Sequence, residues 1–89
     1  MSRHTATIRD GDTILLKDIA VEVAEIREPS GLRSWRGTFQ LPPGQYIELG
    51  GPFGLELDDA RRGRILITHI SPSLDSPTQV SFLGTGPLS

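Results

Sequence analysis

Two histidines, His4 and His69, come first, because imidazole serves both acid–base chemistry and metal binding near neutral pH. A metal site needs three or four converging ligands, and neither histidine has an Asp, Glu or His partner at a recognisable ligand spacing. His69 reads as a partly exposed strand-end residue and His4 as part of a frayed terminus. The serines Ser34, Ser71, Ser73, Ser76 and Ser81 lack the flanking glycines and strand–turn–helix setting of a nucleophile elbow. Asp58 and Asp59 are adjacent carboxylates. At a strand end they point to opposite faces, which suits turn formation better than an acid/base pair. The run Gly50-Gly51-Pro52-Phe53-Gly54 is glycine-rich, but no helix pattern follows and no Lys-Ser/Thr closes a phosphate loop, so it reads as a tight inter-strand turn. With no cysteine in the chain, thiolate nucleophiles, thiolate zinc sites and disulfides are excluded. The expectation is a protein that is not an enzyme and carries no metal and no cofactor.

The arginines say more. Eight of the nine basic residues are Arg, Lys17 being the exception, and guanidinium offers a planar fork for carboxylates, phosphates and aromatic faces. Arg61, Arg62 and Arg64 crowd one hairpin, while Arg33 and Arg36 flank Trp35. Trp35, Tyr46 and Phe53 are of the types that anchor interfaces. Trp35 shares a strand face with Phe39 and Leu41 and so is also a core candidate; Tyr46 shares its face with Glu48 and reads as exposed. Phe53 lies in the glycine-rich turn, where it either folds back over the barrel end or projects to a partner. The candidate binding surface is therefore Trp35, Arg36, Tyr46, Phe53, Arg61, Arg62 and Arg64, with aromatics as anchors and arginines bonding a partner's carboxylates. Edge-to-edge strand pairing would also give a homo-oligomer. The same surface could serve a nucleic-acid-binding barrel, and a small β domain could equally be a structural subunit of a phage- or secretion-type assembly.

These residues must be held by strands. Gly and Pro cluster at 29–31, 42–44, 50–54, 72–77 and 84–87, with short apolar stretches between them, the pattern of a small sandwich or barrel. Residues 33–41 alternate with Trp35, Gly37, Phe39 and Leu41 on one face, and Gly37 can leave room for a ring. Gln45, Ile47 and Leu49 suggest a further short strand; Leu55 and Leu57, then Ile65 and Ile67, form a hairpin across the polar 58–63; Val80 and Phe82 face inward from a last strand. Residues 5–9 pair with 13–16 across Asp10-Gly11-Asp12. Segment 18–28 has two readings: a short helix capped by Asp18, or a strand in which a bulge near Ala24 returns Ile26 to the face of Ile19, Val21 and Val23. The β-branched content favours the strand.

At 89 residues and 36% hydrophobic side chains, the chain has material for one core, so residues 1–89 are expected to form a single small β domain with loose ends at 1–4 and 84–89. Nine basic against eleven acidic residues leave a net charge of −2, which is neither the composition of a disordered chain nor that of a globally basic nucleic-acid binder. No apolar run reaches membrane-spanning length and residues 1–10 hold no signal-peptide core, so a cytoplasmic protein is expected. The fold class is all-β: a six- to seven-stranded barrel of SH3-like or OB-like kind, or a compact sandwich.

Overall fold

Alternation of apolar and polar residues builds six strands: β1 (Ser2–Asp10), β2 (Thr13–Arg27), β3 (Arg33–Leu41), β4 (Gly50–Leu57), β5 (Arg62–Ser71) and β6 (Thr78–Thr85). The computed structural model describes residues 2–31, 33–72 and 75–89, Arg33 by its backbone alone. Every pairing is antiparallel, and the order β1-β2-β3-β6-β5-β4 closes on itself through β4 and β1. Closure takes away most of the edge that edge-to-edge association would use; among the described residues 24–27 of β2 pair with β3 alone. The sandwich and the helix at 18–28 are likewise replaced, since 13–27 is one strand and no helix occurs among the described residues. Antiparallel closure gathers the β1–β2, β3–β4 and β5–β6 connections at one end, the loop end. Both termini and the β2–β3 and β4–β5 connections lie at the other, the terminal end.

Inside, Ile8, Val21, Val23, Leu55, Ile65, Val80 and Phe82 are fully buried. Three glycines face the same interior near the terminal end, and aromatic rings occupy the volume they leave. A Cβ on Gly37 would lie 2.5 Å from Phe82 Cζ, and one on Gly63 would lie 2.6 Å from Trp35 Cζ2; a Cβ on Gly84 would run into the Trp35 indole. Trp35 meets Phe82 edge to face, with centroids 6.1 Å apart and planes at 72°. Its Nε1–H donates to Gly86 O at 2.9 Å.

Several local expectations change. The bulge in β2 lies at the other end of the strand from Ala24. From the pair Ala6–Ile19 to the pair Ile8–Leu16, β1 advances two residues and β2 three, and a further slip separates Ile8–Leu16 from Arg9–Ile14. Asp18 sits there at φ 54°, a conformation short polar side chains tolerate. The extra residues let Leu16 and Ile19, an odd number of positions apart, both point inward. Register with β3 then runs unbroken from Val21 to Arg27, so Ile26 lies on the outer face and is 37% exposed.

Residues 45–49 are not a strand. Pro42 O accepts from Gln45 N–H at 3.1 Å, Gly44 adopts φ 80°, and the segment crosses the loop end with Ile47 inserted as a plug. The glycine-rich 50–54 belongs to β4 rather than to a turn. Register slips between Gly50 and Phe53, where Pro52 lacks a ladder N–H, and Phe53 turns inward. Neither described terminus is loose: Ser2, Arg3 and His4 pair with Val23, Glu22 and Val21, and Ser89 exchanges two backbone hydrogen bonds with Arg62, at 2.8 and 2.9 Å.

Candidate functional site

The seven residues proposed as one binding surface separate into five places. Trp35, 5% exposed, and Phe53, 8% exposed, are interior residues and cannot anchor a partner on the rim. Their place follows from the inward phase of β3 and β4, which Phe39 and Leu55 share. Tyr46 is 75% exposed on the crossing loop at the loop end. Arg36 stands outward on β3 between Ala24 and Leu83, away from the hairpin arginines.

Arg61 belongs to a polar network at the terminal end. Its Nε donates to Asp59 Oδ2 at 2.9 Å and its Nη1 to Glu25 Oε1 at 3.0 Å. His4 Nδ1 stands 3.1 Å from Asp58 Oδ1, Ser2 Oγ stands 3.0 Å from His4 Nε2, and Thr5 N–H donates to Asp58 Oδ2 at 3.1 Å. Sequence spacing could not show this cluster, because 54 residues separate His4 from Asp58; only the β1–β4 pairing joins them. His4, Asp58 and Asp59 hold ligand atoms within 4.8 Å of one another, close enough to share a cation, yet the Arg61 guanidinium already supplies positive charge there. The Ser2–His4–Asp58 chain has the order of a nucleophile, a base and its orienting carboxylate. None of the surface hollows described below is lined by Ser2 or His4. The arrangement stitches the first residues of β1 to the β4–β5 hairpin.

The Thr5 amide and then His4 hold the Asp58 carboxyl below its ordinary value of 3.8; the Arg61 backbone amide and side chain do the same for Asp59. A folded-state value below the unfolded one means stability that is present above the unfolded value and lost as pH falls through the folded one. The melting temperature should therefore drop as pH is lowered through and below about 3.8. Asp58→Asn should melt below the wild type at neutral pH, and the gap should close in acid. A gap that stays constant across a pH series of thermal melts would contradict this.

Arg62 and Arg64 do come together, on the outer face of β5, and they gain a partner that sequence reasoning missed. Arg9 of β1 and Arg64 of β5 both pair with Gly54 of β4, so the row Arg9–Gly54–Arg64 crosses three strands; the next row is Thr7–Glu56–Arg62. With no side chain at Gly54, the row encloses a shallow hollow of about 530 Å³ that runs from Gly11 past Pro52 to Arg62. Glu56 is the sole acid lining it, and its Oε1 stands 2.8 Å from Arg9 Nε as an ion pair. Among the described residues no ion pair engages Arg62 or Arg64. A separate hollow of about 580 Å³ lies under the C-terminal tail against Trp35 and Leu88.

The loop end carries the other feature that the sequence only partly announced. Beside Tyr46, Leu49 is 63% exposed and Ile14, at the start of β2, 46%. No known protein family, curated protein or solved structure matches this chain in comparisons of sequence and fold.

Proposed function

We propose that the chain is a non-enzymatic assembly module that associates with protein through the loop end of the barrel. The observation that carries this reading is the exposure of Ile14, Tyr46 and Leu49 at one end of a closed barrel. Large apolar side chains gathered at one place mark association surfaces more often than scattered ones do. Their position also has a local cause. Pro42, Pro43 and Gly44 bend the connection across the barrel mouth, Ile47 is spent on closing it, and Tyr46 and Leu49 on either side are turned outward.

Each of the three side chains offers about 1.5–3 kcal/mol when buried, a gross gain of the same order as the cost of bringing two bodies together. Self-association is therefore expected to be weak and concentration-dependent. Light scattering coupled to size exclusion at two well-separated concentrations should show a mass above the 9.7 kDa of one chain at the higher concentration. The double variant Tyr46→Glu/Leu49→Glu should remain a monomer at both. A wild-type monomer throughout, or an oligomer that survives the double variant, would overturn self-association through this end.

A further inference from the structure

The outer face of β4 is independent of the loop end, and its charge has no use in the reading above. Strands lie about 4.8 Å apart, so the Cα atoms of Arg9 and Arg64 flank Gly54 at about 10 Å from each other, within joint reach of one group seated over the glycine. Arg62 stands one outward position further along β5, about 7 Å from Arg64. Three guanidiniums thus surround a floor that offers one carboxylate, Glu56, already paired with Arg9.

Gly54 itself is not demanded by the fold. Its φ is not positive, and a Cβ there would meet only Arg9 Cβ and O, each at 3.8 Å, ordinary contact distance. A glycine inside a strand weakens it and marks either a bulge or a close approach by another molecule. The bulge in β4 is at Gly50–Phe53, not here. What the glycine does is keep the space between two arginines open.

From this geometry we infer that the Arg9–Gly54–Arg64 row, with Arg62, is a receptor for a carboxylate-bearing extended segment of a partner protein. Guanidinium binds carboxylate and phosphate alike through its fork, so the choice rests on the surroundings. Acids follow the lining residues in the chain at both ends of the hollow: the exposed Asp10 and Asp12 beside Gly11, and Asp58 and Asp59, held by His4 and Arg61, beyond Leu57. A nucleic acid strand, charged at every residue, would run into them, whereas a segment with two or three carboxylates fits between. Nor does the groove hold an exposed aromatic face on which bases could stack, since Phe53 turns inward. Because the barrel is closed, the segment is recognised by side chains and not by strand addition.

The test is an NMR titration of the protein with a short blocked peptide alternating Glu with Thr, beside its Gln–Thr counterpart and a short oligothymidylate. The Glu–Thr peptide should give saturable amide shifts confined to β1, β4 and β5 that weaken with added salt, and the other two should bind more weakly. Gly54→Leu fills the floor while leaving every charge in place, and Arg64→Glu reverses one. Each should weaken the peptide about tenfold, the scale of one charged hydrogen bond, while Gly54→Leu keeps the wild-type melting temperature. Absence of saturable shifts, wild-type affinity in either variant, or tighter binding of the oligonucleotide would overturn the assignment.

Discussion

Trp35→Ala should cost the barrel about 3–5 kcal/mol, the range for truncating a large buried aromatic. That is a large share of the roughly 4–13 kcal/mol available to a domain of this size. Melting should fall by on the order of 20 °C. The reason lies in three strands at once. The indole fills the space left by Gly63 on β5 and Gly84 on β6, meets Phe82 edge to face, and ties down the chain after β6 through its bond to Gly86 O. Alanine would leave that volume empty between two glycines whose backbones are fixed by the sheet, so little collapse can relieve it. Trp35→Phe keeps most of the ring but not the N–H donor, and should cost less, with the loss concentrated in the tail. Thermal melts of both variants, with hydrogen exchange at Ser89 and Arg62, separate the two contributions. A Trp35→Ala barrel that melts as the wild type does would mean that the ring is not the plug described.

The same residue shows how far the sequence could be read. Alternation along 33–41, a local property of an extended chain, placed Trp35 with Phe39 and Leu41 and made it a core candidate, yet its residue type also put it in the expected binding surface. Ile65, Ile67, Val80 and Phe82 were legible for the same reason. Patterning fails where the chain departs from simple extension. Two slips in β2 put Leu16 and Ile19 on one face, which strict alternation would forbid, and Gly50–Phe53 looked like a turn because its glycines and proline serve a bulge. Ile47 was expected to share a strand with Gln45 and Leu49, but a loop crossing a barrel mouth needs only one apolar plug.

The candidate sites were less legible still, since they are made by pairing between distant segments. Arg62 and Arg64 stood out as neighbours in sequence, but Arg9 joins them only through the β1–β4 contact that closes the ring. His4 and Asp58 meet through that same closure, which strand order alone decides. Arg61 shows the converse. It is adjacent to Arg62 in the chain, yet it is held by Asp59 and Glu25 in another environment because it ends the β4–β5 connection while Arg62 begins β5.

Gly37→Ala should be nearly as damaging as loss of the indole, at about 3 kcal/mol, the upper part of the usual range for overpacking a filled interior. An added methyl meets two obstacles of different kinds. One is the Phe82 ring, with Cζ at 2.5 Å; the other is the Glu22 carbonyl oxygen, part of the β2–β3 ladder. A ring can shift, and Phe82→Leu in the same chain should recover part of the loss relative to Phe82→Leu alone. The carbonyl cannot move without breaking the pairing of Val21–Arg27 with β3, so recovery should be incomplete. Denaturant unfolding of the two single variants and the double one measures this as a coupling energy; strict additivity would mean that the ring is not what the methyl strikes. Gly54 is the counterpart on the outer face, where alanine meets nothing closer than ordinary contact and removes the entropic cost of a strand glycine. A barrel that rejects a methyl at Gly37 and accepts one at Gly54 distinguishes a glycine required for packing from one that keeps a surface open.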